Sequence, residues 1–387
     1  MWVYRRDHGG VLKFHWFLPT SGDSRALSGG GHGLARGHGL PGGASGAYRP
    51  PDIEYLAQVA RSAEQLGFEA VLTPTGTWCE DAWLVTAALT RETRRLRFLV
   101  AFRPGFLSPT LAAQMAATYQ RLSRGRLLLN VVTGGEDAEQ RRFGDHLPHD
   151  ERYARTEEFL SIVRGAWSGT PYDFEGEHYR VEGATVAEPP EPAPLIYFGG
   201  SSPAAGPVAA GHADVYLTWG EPPDQVAAKI AWMRELAGER GRTLRFGIRL
   251  HVITRDTEAA AWAEAARLLD ALDPADIARA REVLGRSESV GQRRMLDLHS
   301  SYTPGDGVRA LEIHPNLWAG VGLVRGGAGT ALVGSHAQVT ERIEEYAALG
   351  VEEFILSGYP HLEEAYWFGE GVLPAFRARN RPAPAFV

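Results

Sequence analysis

The side chains with the clearest chemical potential lie in one short alternating segment. Its even positions between residues 244 and 253 are apolar, and its odd positions carry Arg245, Gly247, Arg249 and His251. Strict alternation predicts a β-strand with two different faces. Arg249 and His251 on one face could bind an anion and exchange a proton. An edge strand with solvated basic residues would show the same pattern, so the surrounding elements must decide.

A glycine-rich turn is the second candidate site. Residues 199–203 read Gly-Gly-Ser-Ser-Pro and precede a predicted helix start. Such a turn offers backbone N–H groups and hydroxyls to a phosphate. Gly200, Ser201 and Ser202 are therefore candidate phosphate ligands. A tight turn with a helix cap would use the same residues without any ligand.

Cys79 is the only cysteine of the chain and stands just before a predicted helix. A thiol at a helix start can have a lowered pKa and act as a nucleophile, although a buried spectator thiol is the more common case. One cysteine cannot form an internal disulfide or a cysteine metal cluster. His32 and His38 lie between glycines without acidic partners, so we predict no metal site.

The composition excludes several classes of protein. The chain has 387 residues, 44% of them hydrophobic, and a formal net charge of −7. This charge argues against a nucleic-acid partner. No apolar run approaches the roughly 20 residues of a membrane span, and the first residues lack the apolar core of a signal peptide. We therefore expect a cytoplasmic protein without a membrane partner.

Mostly apolar strands alternate with helical segments along the chain. We predict eight strands, over residues 12–19, 69–75, 96–103, 126–134, 195–199, 214–219, 244–253 and 353–358. This order is typical of an α/β fold, a (β/α)8 TIM barrel, within a single domain over 1–387. The alternative, an open doubly wound sheet, lacks a Gly-x-Gly-x-x-Gly turn after the first strand. The Gly/His-rich residues 28–47 are expected to form a mobile loop.

The largest insertion is predicted between strands seven and eight. We expect helices over 259–272 and 274–298, the second capped by Asp273 with Pro274 in its first turn. The insertion, which includes a lid loop, covers about residues 271–334. It ends in a glycine-rich segment before the last helix and strand.

In such a barrel the active site lies at the C-terminal ends of the strands. Polar and aromatic residues are concentrated at these ends: Thr20, Ser21, Thr73, Thr75, Trp78, Cys79, Arg103, Asn130, Thr133, Trp219, Arg249, His251, Tyr359 and His361. This clustering favours an inward orientation of Arg249 and His251. A phosphate site among Trp and Tyr side chains suits a flat phosphorylated cofactor, most simply flavin mononucleotide (FMN).

Several long motifs resemble the alkanesulfonate monooxygenases, which belong to the bacterial luciferase-like flavin monooxygenases. The resemblance spans about residues 12 to 376, and its motifs lie at residues 16–20, 79–84, 197–202, 217–223, 246–253, 316–330 and 356–366. It implies a two-component system in which a separate NAD(P)H-dependent FMN reductase supplies reduced FMN. The chain would use it with O2 to convert a sulfonate into an aldehyde and sulfite. A homodimer or homotetramer is also expected.

The resemblance assigns catalytic roles to Cys79, Arg249, His251, Arg325 and Tyr359. It assigns flavin contacts to Ser201 and Ser202, together with Asn130, Thr133 and Tyr153. The strand-end residues Thr73, Gly200 and Trp219 complete the predicted cofactor-binding set. An arginine offers a permanently charged fork to a sulfonate, histidine can move a proton near neutral pH, and tyrosine can donate to developing charge. The glycine-rich segment around Arg325 could close as a lid.

The chain departs from the family pattern at two positions. The family usually carries His where this chain has Ser21 and a small residue where it has Trp78. We expect both residues to line the mouth and Trp78 to take up pocket volume. Another organosulfur or anionic substrate, such as methanesulfonate, a sulfone or a sulfinate, is therefore an alternative. A flavin- or deazaflavin-binding barrel without oxygenase activity is a third.

Overall fold

A computed structural model describes residues 11–27 and 48–379. The predicted loop over 28–47, with His32 and His38, lies outside the described residues. Among the described helices, none combines the length and the apolar character needed to cross a bilayer.

The described chain contains β-strands of two kinds, barrel strands and short additional strands. In chain order they are β1 (Lys13–Phe17), β2 (Ala70–Thr73), β3 (Arg97–Phe102), β4 (Leu127–Val131), β5 (Tyr172–Glu175), β6 (Arg180–Ala184), β7 (Leu195–Gly199), β8 (Val215–Trp219), β9 (Arg245–Arg255), β10 (Glu312–His314), β11 (Leu317–Trp318), β12 (Ala331–Ser335) and β13 (Val351–Ser357).

The helices cover the outside of the strands and build the insertion. They are α1 (Ile53–Leu66), α2 (Ala82–Leu89), α3 (Pro109–Ser123), α4 (Asp137–Arg142), α5 (His149–Ala166), α6 (Ala205–His212), α7 (Pro223–Glu239), α8 (Glu258–Asp270), α9 (Pro274–Gly285), α10 (Val290–Asp297), α11 (His336–Ala348), α12 (His361–Gly371) and α13 (Leu373–Arg379).

Eight parallel strands close into a barrel. Their order is β1-β2-β3-β4-β7-β8-β9-β13, and β13 pairs again with β1. All eight predicted strands are present, and the predicted (β/α)8 TIM barrel is confirmed. Helices lie between successive strands, so the outer faces of the strands are buried as in other parallel barrels.

Capping residues set several helix ends, among them the predicted cap at Asp273. The side chains of Asp81, Ser108 and Asp273 each accept a hydrogen bond from a main-chain N–H in the first turn of α2, α3 and α9. Helix α1 ends at Gly67, whose φ of 80° is the left-handed conformation that glycine adopts without strain.

One predicted helix of the insertion is wrong in extent. Residues 274–298 form two helices, α9 and α10, rather than one. The break lies before Ser289, whose side chain accepts from the N–H of Gln292 and caps α10. A second difference is the hairpin of β5 and β6, in a Pro-rich stretch for which no element was predicted.

The two faces of strand β9 have different surroundings, and its neighbouring strands change along its length. Phe246, Ile248, Leu250 and Val252 pack into the main core with the helices. Up to His251 the strand pairs with β8 and β13. From His251 to Arg255 it pairs with β12, so the end of the insertion returns as an extra strand on the upper part of β9.

A charged cluster lies inside the barrel around Glu353, which is fully buried in β13. His15 Nε2 lies 2.9 Å from its carboxylate, the Tyr197 hydroxyl 2.7 Å and the Arg245 guanidinium 2.5 Å. Burial alone would raise the pKa of Glu353, but the hydrogen bonds from His15 and Tyr197 and the charge of Arg245 outweigh it and lower the pKa to about 2. The carboxylate is therefore ionised and fully compensated at neutral pH.

Replacing Glu353 by Ala should destabilise the fold by about 3–5 kcal/mol, because Arg245 and two buried donors lose their acceptor. Urea unfolding followed by circular dichroism measures this. The matched control is Glu352→Ala, one position earlier on the same strand, which should change the free energy of unfolding by about 0.5 kcal/mol or less. Equal effects of the two substitutions would contradict a special role for Glu353.

The lowered pKa of Glu353 also predicts how the free energy of unfolding depends on pH. Because the pKa of Glu353 is lower in the folded state than in the unfolded chain, its stabilising contribution is present above about pH 4.5 and is lost as the pH falls towards 2. The difference in unfolding free energy between the wild type and Glu353→Gln should therefore shrink across this range. A difference that stays constant down to pH 2 would contradict this assignment.

Candidate active site

A cavity of about 300 Å³ opens at the C-terminal ends of the barrel strands. Most of the predicted site residues line it: Asn130, Thr133, Tyr153, Gly200, Ser201, Ser202, Trp219, Arg249, His251 and Arg325. Three others lie off its lining, namely Thr73, Cys79 and Tyr359. Thr73 is fully buried at the end of β2, next to the lining residues Leu72 and Pro74.

One end of the cavity is basic. Arg249 is partly buried; its guanidinium donates to the Ser357 hydroxyl at 2.9 Å and to the Leu250 carbonyl at 2.5 Å, and lies 5.0 Å from the centre of the Phe17 ring. Arg325 is 4% exposed, lies 5.2 Å from the centre of the Tyr359 ring, and its Nη1 has no partner in the described structure. Neither guanidinium forms an ion pair with a described carboxylate.

Burial lowers the pKa of both Arg249 and Arg325 to about 9, and for Arg325 the nearby charge of Arg249 adds to this effect. Both side chains therefore remain cations at neutral pH. A buried charge without an opposite charge is costly. The arrangement is that of a site for an anion.

His251 lies close enough to both arginines to sense their charges. Its Nδ1 is 2.7 Å from the Ser357 hydroxyl and its Nε2 is 3.1 Å from the Ala328 carbonyl. Burial, followed by the charges of Arg249 and Arg325, holds the pKa of His251 well below its usual value of 6.5. The imidazole is therefore neutral at pH 7 in the protein without ligand.

Tyr359 lies behind His251, with the two rings stacked at 5.5 Å between centroids. Its hydroxyl is buried without a partner among the described residues. The neighbouring His361 directs its Nδ1 towards Asp23 at 2.8 Å, and its main-chain N–H donates to the same carboxylate at 2.8 Å. Asp23 also accepts from the Tyr55 hydroxyl. This buried network was not predicted, because it joins the loop after β1 to the start of α12, which follows the neighbouring strand β13 and lies 338 residues from Asp23 in the sequence.

A second part of the cavity is built around the Gly-Gly-Ser-Ser turn, which follows β7. A Cβ at Gly200 would lie 2.6 Å from the Ala205 Cβ and 3.2 Å from the Tyr153 hydroxyl, so only glycine leaves this space open. The Ser202 hydroxyl accepts from the Ala205 N–H at 3.2 Å and lies beside the Tyr153 hydroxyl. Thr133 Oγ1 is buried without a partner in the described chain. These groups could bind an anionic group such as a phosphate.

Two mouth residues differ from expectation. Neither Ser21 nor Trp78 lines the cavity. The Trp78 indole instead occupies the space next to Gly76 where a Cβ would lie. Trp78 therefore does not take up pocket volume as predicted.

Cys79 is also unlike a reactive thiol. Its sulfur lies 3.7 Å from the Pro74 carbonyl and 3.6 Å from the Gly76 carbonyl. Burial raises the pKa of Cys79 to about 12, opposite to the lowering considered for a helix start. At neutral pH the side chain is a thiol.

The Gly-Gly-Ser-Ser turn and the two uncompensated arginines line one cavity at the mouth of a parallel barrel. The profile of the luciferase-like monooxygenases matches residues 12–353, and the chain belongs to this family.

Solved structures share the fold. A long-chain alkane monooxygenase is 20% identical, with a TM-score of 0.74 over 97% of this chain and 93% of that one. A riboflavin lyase is 21% identical, with a TM-score of 0.73 over 97% and 93% of the two chains. EDTA monooxygenase from Chelativorans sp. BNC1 is 20% identical, with a TM-score of 0.72 over 96% and 95%.

Replacing Arg325 by Met should stabilise the ligand-free protein by about 1–3 kcal/mol, because it removes an uncompensated buried charge. It should also weaken stabilisation by a small anion, because only Arg249 remains to bind it. For the wild type, sulfate at about 100 times its dissociation constant adds about 2.7 kcal/mol. Thermal unfolding in sulfate and in chloride at equal ionic strength measures both effects.

The matched control is Arg293→Met, since Arg293 is exposed on α10. It should leave both quantities close to the wild-type values. An Arg325→Met protein that keeps the full response to sulfate would show that Arg325 does not belong to an anion site.

Proposed function

We propose that this chain is the oxygenase of a two-component flavin monooxygenase that desulfonates an alkanesulfonate. The observation that carries this proposal is the pair Arg249 and Arg325, two cations in one cavity without a described carboxylate partner. A sulfonate is anionic throughout the physiological pH range, and its oxygens match the planar fork of a guanidinium. Membership of the luciferase-like monooxygenases supplies the reaction class.

Reduced FMN from a separate NAD(P)H-dependent FMN reductase is the proposed cofactor. Its phosphate would be held by Ser201, Ser202 and the Tyr153 hydroxyl, with Gly200 leaving space for it. Asn130, Thr133 and Trp219 line the same cavity and are proposed to contact the rest of the flavin, with Thr73 beneath them. When bound, reduced flavin supplies the two electrons with which O2 is activated.

The chain's own residues would hold and polarise the sulfonate. Arg249 and Arg325 would bind its oxygens, stabilising the charge that remains on sulfur when the C–S bond breaks. One oxygen atom of O2 enters the aldehyde, the other leaves as water, and the sulfur departs as sulfite. Arg325 belongs to the glycine-rich end of the insertion, which we propose closes over the cavity and excludes water.

His251 and Tyr359 are the proposed proton-handling groups. An anion beside Arg249 and Arg325 would offset the charges that lower the pKa of His251, so the imidazole could take up a proton when substrate is bound. The Tyr359 hydroxyl has an unused hydrogen for an oxygen that gains charge. Cys79 would remain a neutral thiol outside the cavity lining, where its role would be packing.

The test is coupled turnover with a reductase, NAD(P)H, FMN and O2. A panel of sulfonates from methanesulfonate to long chains should release sulfite with at least one member. Arg325→Met should lower kcat/KM by about a hundredfold or more, the size of effect found when a donor to developing charge is removed. Arg293→Met should keep the wild-type rate.

Other outcomes separate the alternatives. Oxidation of a sulfone or sulfinate without sulfite from any sulfonate would indicate the second candidate, a monooxygenase of the same type on another organosulfur compound. Flavin binding without oxygen-dependent turnover of any compound would indicate a flavin-binding barrel.

The phosphate site makes a separate prediction. Reduced FMN should bind more tightly than reduced riboflavin, because only FMN reaches the turn at Gly200–Ser202. Tyr153→Phe should remove one hydrogen bond to a charged group and weaken FMN by about tenfold, while leaving riboflavin unchanged. Anaerobic fluorescence titration with both flavins measures this. Equal weakening of both would place Tyr153 outside the phosphate site.

A further inference from the structure

Ser357 lies beside the catalytic candidates Arg249 and His251. The sequence alone did not indicate this residue. It is the register partner of His251 across β13 and β9, so both side chains lie on the same face of the barrel. Ser357 is fully buried, and its hydroxyl oxygen is 2.7 Å from His251 Nδ1 and 2.9 Å from Arg249 Nη2. One hydroxyl therefore joins two residues of the basic end.

The directions of these hydrogen bonds follow from the chemistry of the partners. The Ala328 carbonyl, 3.1 Å from His251 Nε2, can only accept, so Nε2 carries a hydrogen. His251 is neutral, and a neutral imidazole has one N–H, so Nδ1 carries none. The Ser357 hydroxyl must then donate to Nδ1. Arg249 can only donate, and the Ser357 oxygen accepts from it.

We propose that Ser357 is a positioning residue that fixes the tautomer of His251 and thereby the contact between His251 and the segment that follows Arg325. In the other tautomer, Nε2 would present a lone pair to the Ala328 carbonyl, and this contact would become repulsive. The His251 main-chain N–H also donates to the Thr330 carbonyl at 2.8 Å. His251 therefore holds residues 328–330 at two points, one of which depends on Ser357.

The consequence for the reaction rests on the proposed function. With a hydrogen already on Nε2, His251 can accept a proton only at Nδ1. The Ser357 hydroxyl must then turn its hydrogen away, and its oxygen accepts from both His251 and Arg249. Ser357 thus selects the nitrogen that exchanges a proton and keeps the other bound to the loop.

The test uses the full chain labelled with 15N in its histidine rings. The wild type at pH 7.5 should show His251 with a protonated Nε2 and an unprotonated Nδ1. Ser357→Ala should change the ratio of the tautomers by about fivefold towards a protonated Nδ1, the effect expected for one hydrogen bond. Amide hydrogen exchange within residues 325–330 should accelerate by a similar factor.

Ser357→Cys is the second variant, because it nearly preserves side-chain shape with a weaker donor, and its tautomer ratio should change in the same direction. The matched control is Thr156→Val. Thr156 is equally buried but lies on α5, and its hydroxyl donates to the Arg152 carbonyl and not to His251. This control should leave the tautomer ratio unchanged.

A wild-type His251 with its hydrogen on Nδ1 would overturn the proposal, and so would a Ser357→Ala ratio within twofold of the wild type. Neither measurement requires turnover. Absence of sulfite release by the wild type would count against the proposed function and leave the tautomer result standing. The proposed function makes one further demand: Ser357→Ala should lower kcat more than it raises KM, and Ser357→Cys should restore part of the loss.

Discussion

Two guanidinium groups without a carboxylate partner among the described residues govern the upper half of the barrel. The fold offsets part of their cost with weaker partners: carbonyl oxygens and the Phe17 ring for Arg249, and the Tyr359 ring for Arg325. These partners hold the guanidinium groups in place without neutralising them. An anionic ligand would balance the remaining positive charge. Burial, together with this charge, keeps His251 neutral in the protein without ligand.

In the lower half of the same barrel, the buried charge is compensated by neighbouring side chains. Glu353 is surrounded by His15, Tyr197 and Arg245, so its charge is compensated in the absence of any ligand. Arg245 and Arg249 lie on one face of β9, only four residues apart. The position of an arginine along the strand therefore decides whether it stabilises the fold or is available to a ligand. Residues for stability and residues for function thus occupy different levels of one barrel interior.

Sequence reasoning reached the barrel and much of the cavity because both depend on local patterns. Strand count and alternation placed Arg249 and His251 inside, and the Gly-Gly-Ser-Ser turn placed Ser201 and Ser202 in the lining. Contacts that depend on the register between strands could not be predicted, since no local sequence pattern indicates that Ser357 lies opposite His251. The raised pKa of Cys79 depends on burial by residues that are distant in sequence. The break before Ser289 depends on a helix cap that competes with continuation of the preceding helix.

Strand β9 changes neighbours at His251, from β8 and β13 below to β12 above. The downstream end of the insertion is therefore part of the barrel's own hydrogen-bond ladder. Additions or deletions in residues 331–335 would shift a register that five residue pairs define. Length changes in the exposed turn at 303–307 meet no such constraint. Loop grafting and library design on this scaffold therefore have a natural place in the exposed turn at 303–307, whereas β11, the segment around Arg325 and β12 require a fixed length.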